Sequence, residues 1–163
     1  MTMDARMNFF ADPTMGKAFK HLLAAGRAVE ESGLPYATQE LVKLRVSQVN
    51  GCAVCVDMHT KEALAAGETV VRLSLVAAWR EATVFSEAER AAFELAEEGT
   101  RVADAAGGVS DEVWERAARH YDEAQLGALT LLICFMNLVN RANIITRQPA
   151  TGEYVAGQIK QMH

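Results

Sequence analysis

The stretch DEAQLGALTLLICFMNLVNRANII, Asp122 to Ile145, settles the fold class. Residues 124–140 carry no charge, and Leu126, Leu129, Leu132, Ile133, Met136 and Val139 recur at helical spacing. Asp122 followed three residues later by Gln125 forms a capping-box signature at the start. The run falls short of the roughly 20 apolar residues that a membrane span requires, and Gln125, Thr130, Asn137 and Asn140 interrupt it. It reads as the central helix of a helical bundle, covered by the rest of the domain and, in an oligomer, by a neighbouring copy. No membrane association is expected.

Outward from this helix the punctuation repeats the theme. Residues 14–31 predict a first helix that stops at Ser32–Gly33, with Pro35 beyond. Thr38 is the expected N-cap of a second, bearing Leu41, Val42, Leu44, Val46 and Val49, which Asn50–Gly51 breaks. A third begins around Cys52 and closes at Gly67, and residues 68–80 make a fourth. Ser86 with Glu89 is another capping box. Gly107–Gly108 is a turn, and Ser110 caps a short helix with Val113, Trp114 and Ala117. After Pro149 the tail is expected to be extended or weakly helical and to dock on a neighbouring subunit. Strand-type alternation is nearly absent. The fold class is therefore all-α, a compact bundle of about six to seven helices in one domain over 1–163, with a core at about 14–147 and a tail at 148–163.

The 163 residues are half hydrophobic and 23% charged, enough for one buried core. Net charge is −5 and the basic residues are scattered among acids, which argues against nucleic acid. Met1-Thr2-Met3-Asp4 lacks the basic and apolar regions of a secretory signal. A cytoplasmic protein with reduced cysteines is expected, and three cysteines are too few for a disulfide scaffold.

Chemistry is concentrated in Gly51-Cys52-Ala53-Val54-Cys55-Val56-Asp57-Met58-His59. On a helix, residues three and four apart share a face, so Cys52, Cys55 and His59 line up. Cβ atoms at such spacings sit about 5–6 Å apart, so a disulfide needs local adjustment at the helix start. The helix N-terminus favours a thiolate, and His59 can accept the thiol proton or stabilise the anion. The dipole favours Cys52 as the more acidic thiol, whereas proximity to His59 favours Cys55. Residue spacing leaves that choice open. The plain alternative is two small cysteines filling a core.

Glu40, followed by Cys52-x-x-Cys55-x-x-x-His59, resembles the signature of the alkylhydroperoxidase D-like group of the carboxymuconolactone decarboxylase superfamily. Arg45-Val46-Ser47-Gln48-Val49-Asn50-Gly51-Cys52, Val56-Asp57-Met58-His59-Thr60-Lys61, Ala78-Trp79-Arg80-Glu81 and Asn140-Arg141-x-Asn143 are also similar, so the likeness runs over about 35–147. The resemblance implies an all-helical trimer or hexamer that reduces hydrogen peroxide or alkyl hydroperoxides. By that analogy Cys55 attacks the peroxide, Cys52 resolves the sulfenic acid to a disulfide, and His59 with Glu40 relays protons. A dithiol reductant or lipoyl-type carrier, or a peroxiredoxin partner, would restore the thiols. No cofactor is called for. Some members carry a histidine just before the second cysteine, where Val54 stands here. Spacing alone gives Glu40 only a helix-dipole role in its first turn.

Competing readings are a general thiol–disulfide oxidoreductase or redox-sensing oligomer, a zinc site built from Cys52, Cys55, His59 and Glu40, and a lyase, which would not need the cysteine pair. Cys134 reads as a small buried hydrophobe. Trp79, Trp114, Phe93 and Phe135 read as core or interface. Asn140 and Asn143 read as helix–helix hydrogen-bonding amides, and His21, His120 and His163 have no partner at meaningful spacing.

Overall fold

The computed structural model describes residues 4–8, 11–105 and 107–161, so the expectations that rest on residues 1–3 and on His163 lie outside it. Among the described residues there are seven α-helices and no strand. They are α1 (Pro13–Glu30), α2 (Tyr36–Asn50), α3 (Ala53–Ala65), α4 (Val70–Leu75), α5 (Glu87–Thr100), α6 (Asp111–Ala118) and α7 (Glu123–Thr146).

Local chemistry sets most boundaries. Both capping boxes form, with Ser86 paired to Glu89 and Asp122 to Gln125. Pro13 opens α1 behind an Asp12 cap. Thr38 is not the cap of α2. That helix starts at Tyr36, three residues before a Thr38 cap would place it, because Pro35 (φ −54°) already presents its carbonyl to the Gln39 N–H at 3.0 Å. Thr38 is buried instead.

The predicted fourth helix is split. α4 ends at Leu75 and a 3-10 turn, Val76–Ala78, follows. Arg90 then donates to the carbonyls of Trp79, Arg80 and Ala82, supplying partners where the helical ladder has ended. The chain bends so that Val76 and Trp79 enter a satellite core with Leu41, Leu44, Phe85 and Phe93. Phe85 meets Phe93 edge-on at 5.0 Å.

α2 and α7 form the axis of the bundle. α2 packs against α3, α5 and α7, and α7 against α1, α2, α5 and α6. The length and apolarity of α7 would suit a membrane crossing, yet its Leu129, Leu132, Ile133 and Met136 are spent on the main core. Cys134 points outward and is exposed, contrary to the expected buried position, and Trp114 is exposed on the surface of the chain.

The tail lies along its own chain. Lys61 on α3 donates to the Gly152 carbonyl at 2.6 Å, and Glu62 accepts from Tyr154 Oη and from the Gly157 N–H. Residues 148–161 thus form a strap across α3, ending in a 3-10 turn, Gln158–Gln161.

Candidate active site

The site is built on the turn between α2 and α3. Gly51 adopts φ +72°, a left-handed conformation that glycine takes at little strain, and ends α2. The Cys52 N–H bonds to Ser47 O at 3.0 Å and the Gly51 N–H to Gln48 O at 3.2 Å, which closes a Schellman turn. Cys52 then becomes the extended N-cap of α3 (φ −84°, ψ 95°). The local adjustment required for sulfur contact is therefore this residue's exit from the helix. Cys52 Sγ and Cys55 Sγ lie 2.7 Å apart, both buried.

His59 stands one turn along α3. Its Nδ1 is 3.0 Å from Glu40 Oε2, and Lys43 Nζ is 2.7 Å from Glu40 Oε1. Burial works against ionising Glu40, but the His59 hydrogen bond and the Lys43 ammonium overcome it and hold the carboxyl at about 2. With an ionised partner the ring donates from Nδ1, leaving Nε2 for proton exchange. Lys43 went unnoticed in the sequence; its i,i+3 spacing from Glu40 on one helix was the available signal.

The two thiols share charge unequally. The Cys55 S–H lowers Cys52 most, burial opposes it, and the amides of Asn143 and Asn140 help, so Cys52 falls to about 7. Cys55 is pushed up, first by the same contact and then by burial. Among the described residues no group of three or more His, Cys, Asp and Glu is disposed to hold a metal. Glu40 is moreover already held by Lys43 and His59.

Asn143 is the residue that sequence reasoning underrated. Its Nδ2 donates to Cys55 Sγ at 3.2 Å from the far end of α7, 88 residues away. Asn140, fully buried, donates to Ser47 Oγ at 3.2 Å and accepts from Asn50 Nδ2 at 3.0 Å, which ties α7 to the α2–α3 turn.

A cavity of about 860 Å³ adjoins the pair. Phe19, Leu23, Met58 and Phe135 give it an apolar wall, Cys55, His59, Glu40 and Asn143 border it, and Tyr154 and Ile159 of the strap close a side. Cys52 is not part of its lining. Cys55 exposes no surface, so a ligand reaches its sulfur only when a lining side chain moves.

The sequence pattern of the carboxymuconolactone decarboxylase family matches residues 13–98, over half of the chain. The chain belongs to that family. Within the carboxymuconolactone decarboxylase family it is alkylhydroperoxidase D-like. It is 38% identical to the Bacillus subtilis protein YdfG over 87% of this chain and 94% of that one. It is also similar to an Agrobacterium tumefaciens protein of unknown function grouped with the antioxidant-defence protein AhpD. That crystal structure superposes with a TM-score of 0.82 at 34% identity, covering 90% of this chain and 97% of that one. The debrominase Bmp8, crystallised with 2,3,4-tribromopyrrole, shares the fold at a TM-score of 0.73 and 17% identity, over 93% of this chain and 78% of its own.

Proposed function

We propose that this member of the carboxymuconolactone decarboxylase family is a thiol-dependent peroxidase that reduces hydrogen peroxide or alkyl hydroperoxides through Cys55 and Cys52. The observation that carries the reading is the 2.7 Å sulfur contact beside a cavity that also takes in His59 braced by Glu40. The grouping of the Agrobacterium relative with an antioxidant-defence protein supports it.

At rest the pair holds one proton, on Cys55, and one negative charge, on Cys52. Transfer of that proton across the sulfur contact leaves a Cys55 thiolate facing the cavity. Its sulfur attacks the terminal peroxide oxygen, the O–O bond breaks, and Cys55 becomes a sulfenic acid while the alkoxide takes a proton from the His59 imidazolium. The Cys52 thiol next gives its proton to the imidazole and attacks Cys55 Sγ. The S–S bond forms, the S–O bond breaks, and the departing hydroxide recovers that proton from His59 as water. Two thiols are oxidised for each peroxide reduced.

An external dithiol, a lipoyl-type carrier or a partner peroxiredoxin, reduces the disulfide again. A cytoplasmic trimer or hexamer is the form in which this reading places the protein.

A peroxide-consumption assay with a recycling dithiol tests the proposal. Wild-type protein turns over and Cys55→Ser does not, whereas Cys52→Ser completes one turnover and stops at the sulfenic acid. Equal rates for wild type and Cys55→Ser overturn the assignment.

A further inference from the structure

We infer that Asn143 selects the attacking sulfur: its side-chain amide, donating to Cys55 Sγ, draws the shared negative charge from Cys52 onto Cys55. The inference rests on the peroxidase reading for its chemical purpose, though not for its test.

Three observations converge. The first is a conflict within the pair. Cys52 is the N-cap of α3, where the helix start stabilises an anion, but Cys52 does not border the cavity, whereas Cys55 does. The sulfur best placed for charge is therefore not the one placed for substrate. Some group must favour the less stable arrangement, with the proton on Cys52 and the charge on Cys55.

Secondly, His59 turns its Nδ1 to the Glu40 carboxylate and Lys43 pairs with the other carboxylate oxygen, so Nδ1 and the ammonium both engage the carboxylate rather than a sulfur. From α7 the amides of Asn143 and Asn140 favour the charged form of either sulfur, and the hydrogen bond that Asn143 makes is to Cys55 Sγ. Asn140 is occupied by Ser47 and Asn50.

The third observation is the geometry of Asn143 itself. An N–H donating to a neutral thiol gains little, because sulfur is a weak acceptor; donating to a thiolate it gains substantially more. A buried carboxamide aimed at sulfur over 3.2 Å is suited to the charged form. The backbone that carries it is fixed, since the Gln148 N–H bonds to the Asn143 main-chain carbonyl at 2.9 Å and Arg147 adopts φ +54° to close the end of α7. The same donor stays in place for the sulfenic acid oxygen or sulfur after attack.

The test uses the full-length reduced protein and two substitutions, Asn143→Leu, which removes the donor, and the near-isosteric Asn143→Asp, which puts an acceptor in its place. Limiting iodoacetamide followed by peptide mass analysis reads which cysteine carries the reactive thiolate. In a Cys52→Ser background the pH dependence of alkylation reads the Cys55 midpoint.

In wild type the resting charge lies on Cys52 but only Cys55 borders the cavity, so both cysteines label and the ratio of Cys55 to Cys52 is the reference value. In Asn143→Leu the ratio falls about tenfold and the Cys55 midpoint rises by about one pH unit, equivalent to tenfold in thiolate at fixed pH. Asn143→Asp shifts both further in the same direction. If either variant folds and leaves ratio and midpoint at wild-type values, the inference is wrong, and a loss of activity that tracks thermal stability alone says the same. Absence of peroxide turnover in the wild type would remove the peroxidase reading but not the alkylation shift. Normal turnover with no alkylation shift would remove only the role of Asn143.

Discussion

Glu40 on α2 and His59 on α3 face each other across 3.0 Å in a buried pair, with Lys43 on the opposite carboxylate oxygen. An ion triad of this kind orients a ring more than it stabilises a fold, since desolvation consumes much of the Coulombic gain. Glu40→Gln keeps the volume but loses the carboxylate that holds the Nδ1–H tautomer. Peroxide turnover should fall about 10- to 100-fold, in the range of general acid–base contributions. Thiol alkylation should persist. An unchanged rate in stopped-flow assays would show that Glu40 only packs.

The same carboxylate gives a pH signature. Glu40 ionises near 2 in the fold against 4.5 unperturbed. Its stabilising effect is complete above about 4.5 and disappears as pH falls through 2, because the unfolded chain then binds the proton first. A melting series from pH 6 to pH 2 should show wild type losing on the order of 3 kcal/mol more than Glu40→Gln. Parallel curves for the two proteins would rule this out.

Cys52, at about 7, should show thiolate absorbance at 240 nm rising through neutral pH. Removing its chief donor with Cys55→Ala should move that midpoint upward, toward 9. A midpoint left at 7 would mean that the helix start alone acidifies Cys52.

Glu97 accepts from Arg45 Nε (2.8 Å), Trp79 Nε1 (2.7 Å) and Arg80 (2.6 Å), joining α2, the segment just after the 3-10 turn and α5. Glu97→Ala should destabilise the protein by about 3 kcal/mol, because it strands a buried indole N–H and a half-buried guanidinium. Arg80 is largely exposed, and Arg80→Gln should cost less than about 1 kcal/mol. Urea unfolding of the two variants settles the order.

Much of this architecture was readable from residue order because the decisive signals are local. The capping boxes at Ser86 and Asp122, the glycine stop at Gly51 and the apolar period of α7 each act within a few residues of themselves. The CxxC–His alignment is likewise a matter of helix phase. Thr38 misled because Pro35 can open a helix without a side-chain cap. The break after Leu75 was hidden because Arg90, from the next helix, makes it tolerable. Asn143 was out of reach for a different reason. Whether an amide on a buried helix meets another helix or a sulfur depends on how α7 lies against α3, and no spacing within α7 encodes that. The strap was equally opaque, since Glu62 finds Tyr154 across 92 residues.

Because Cys52 belongs to neither α2 nor α3 but to the Gly51 turn between them, drawing its sulfur the remaining fraction of an ångström to bonding distance can be taken up within that turn, without shifting either helix. Oxidised and reduced chains would then share one hydrophobic interior and nearly one melting temperature. A disulfide seated this way is a poor lever for signalling shape, and a good one for opening and closing thousands of times without fatigue of the scaffold.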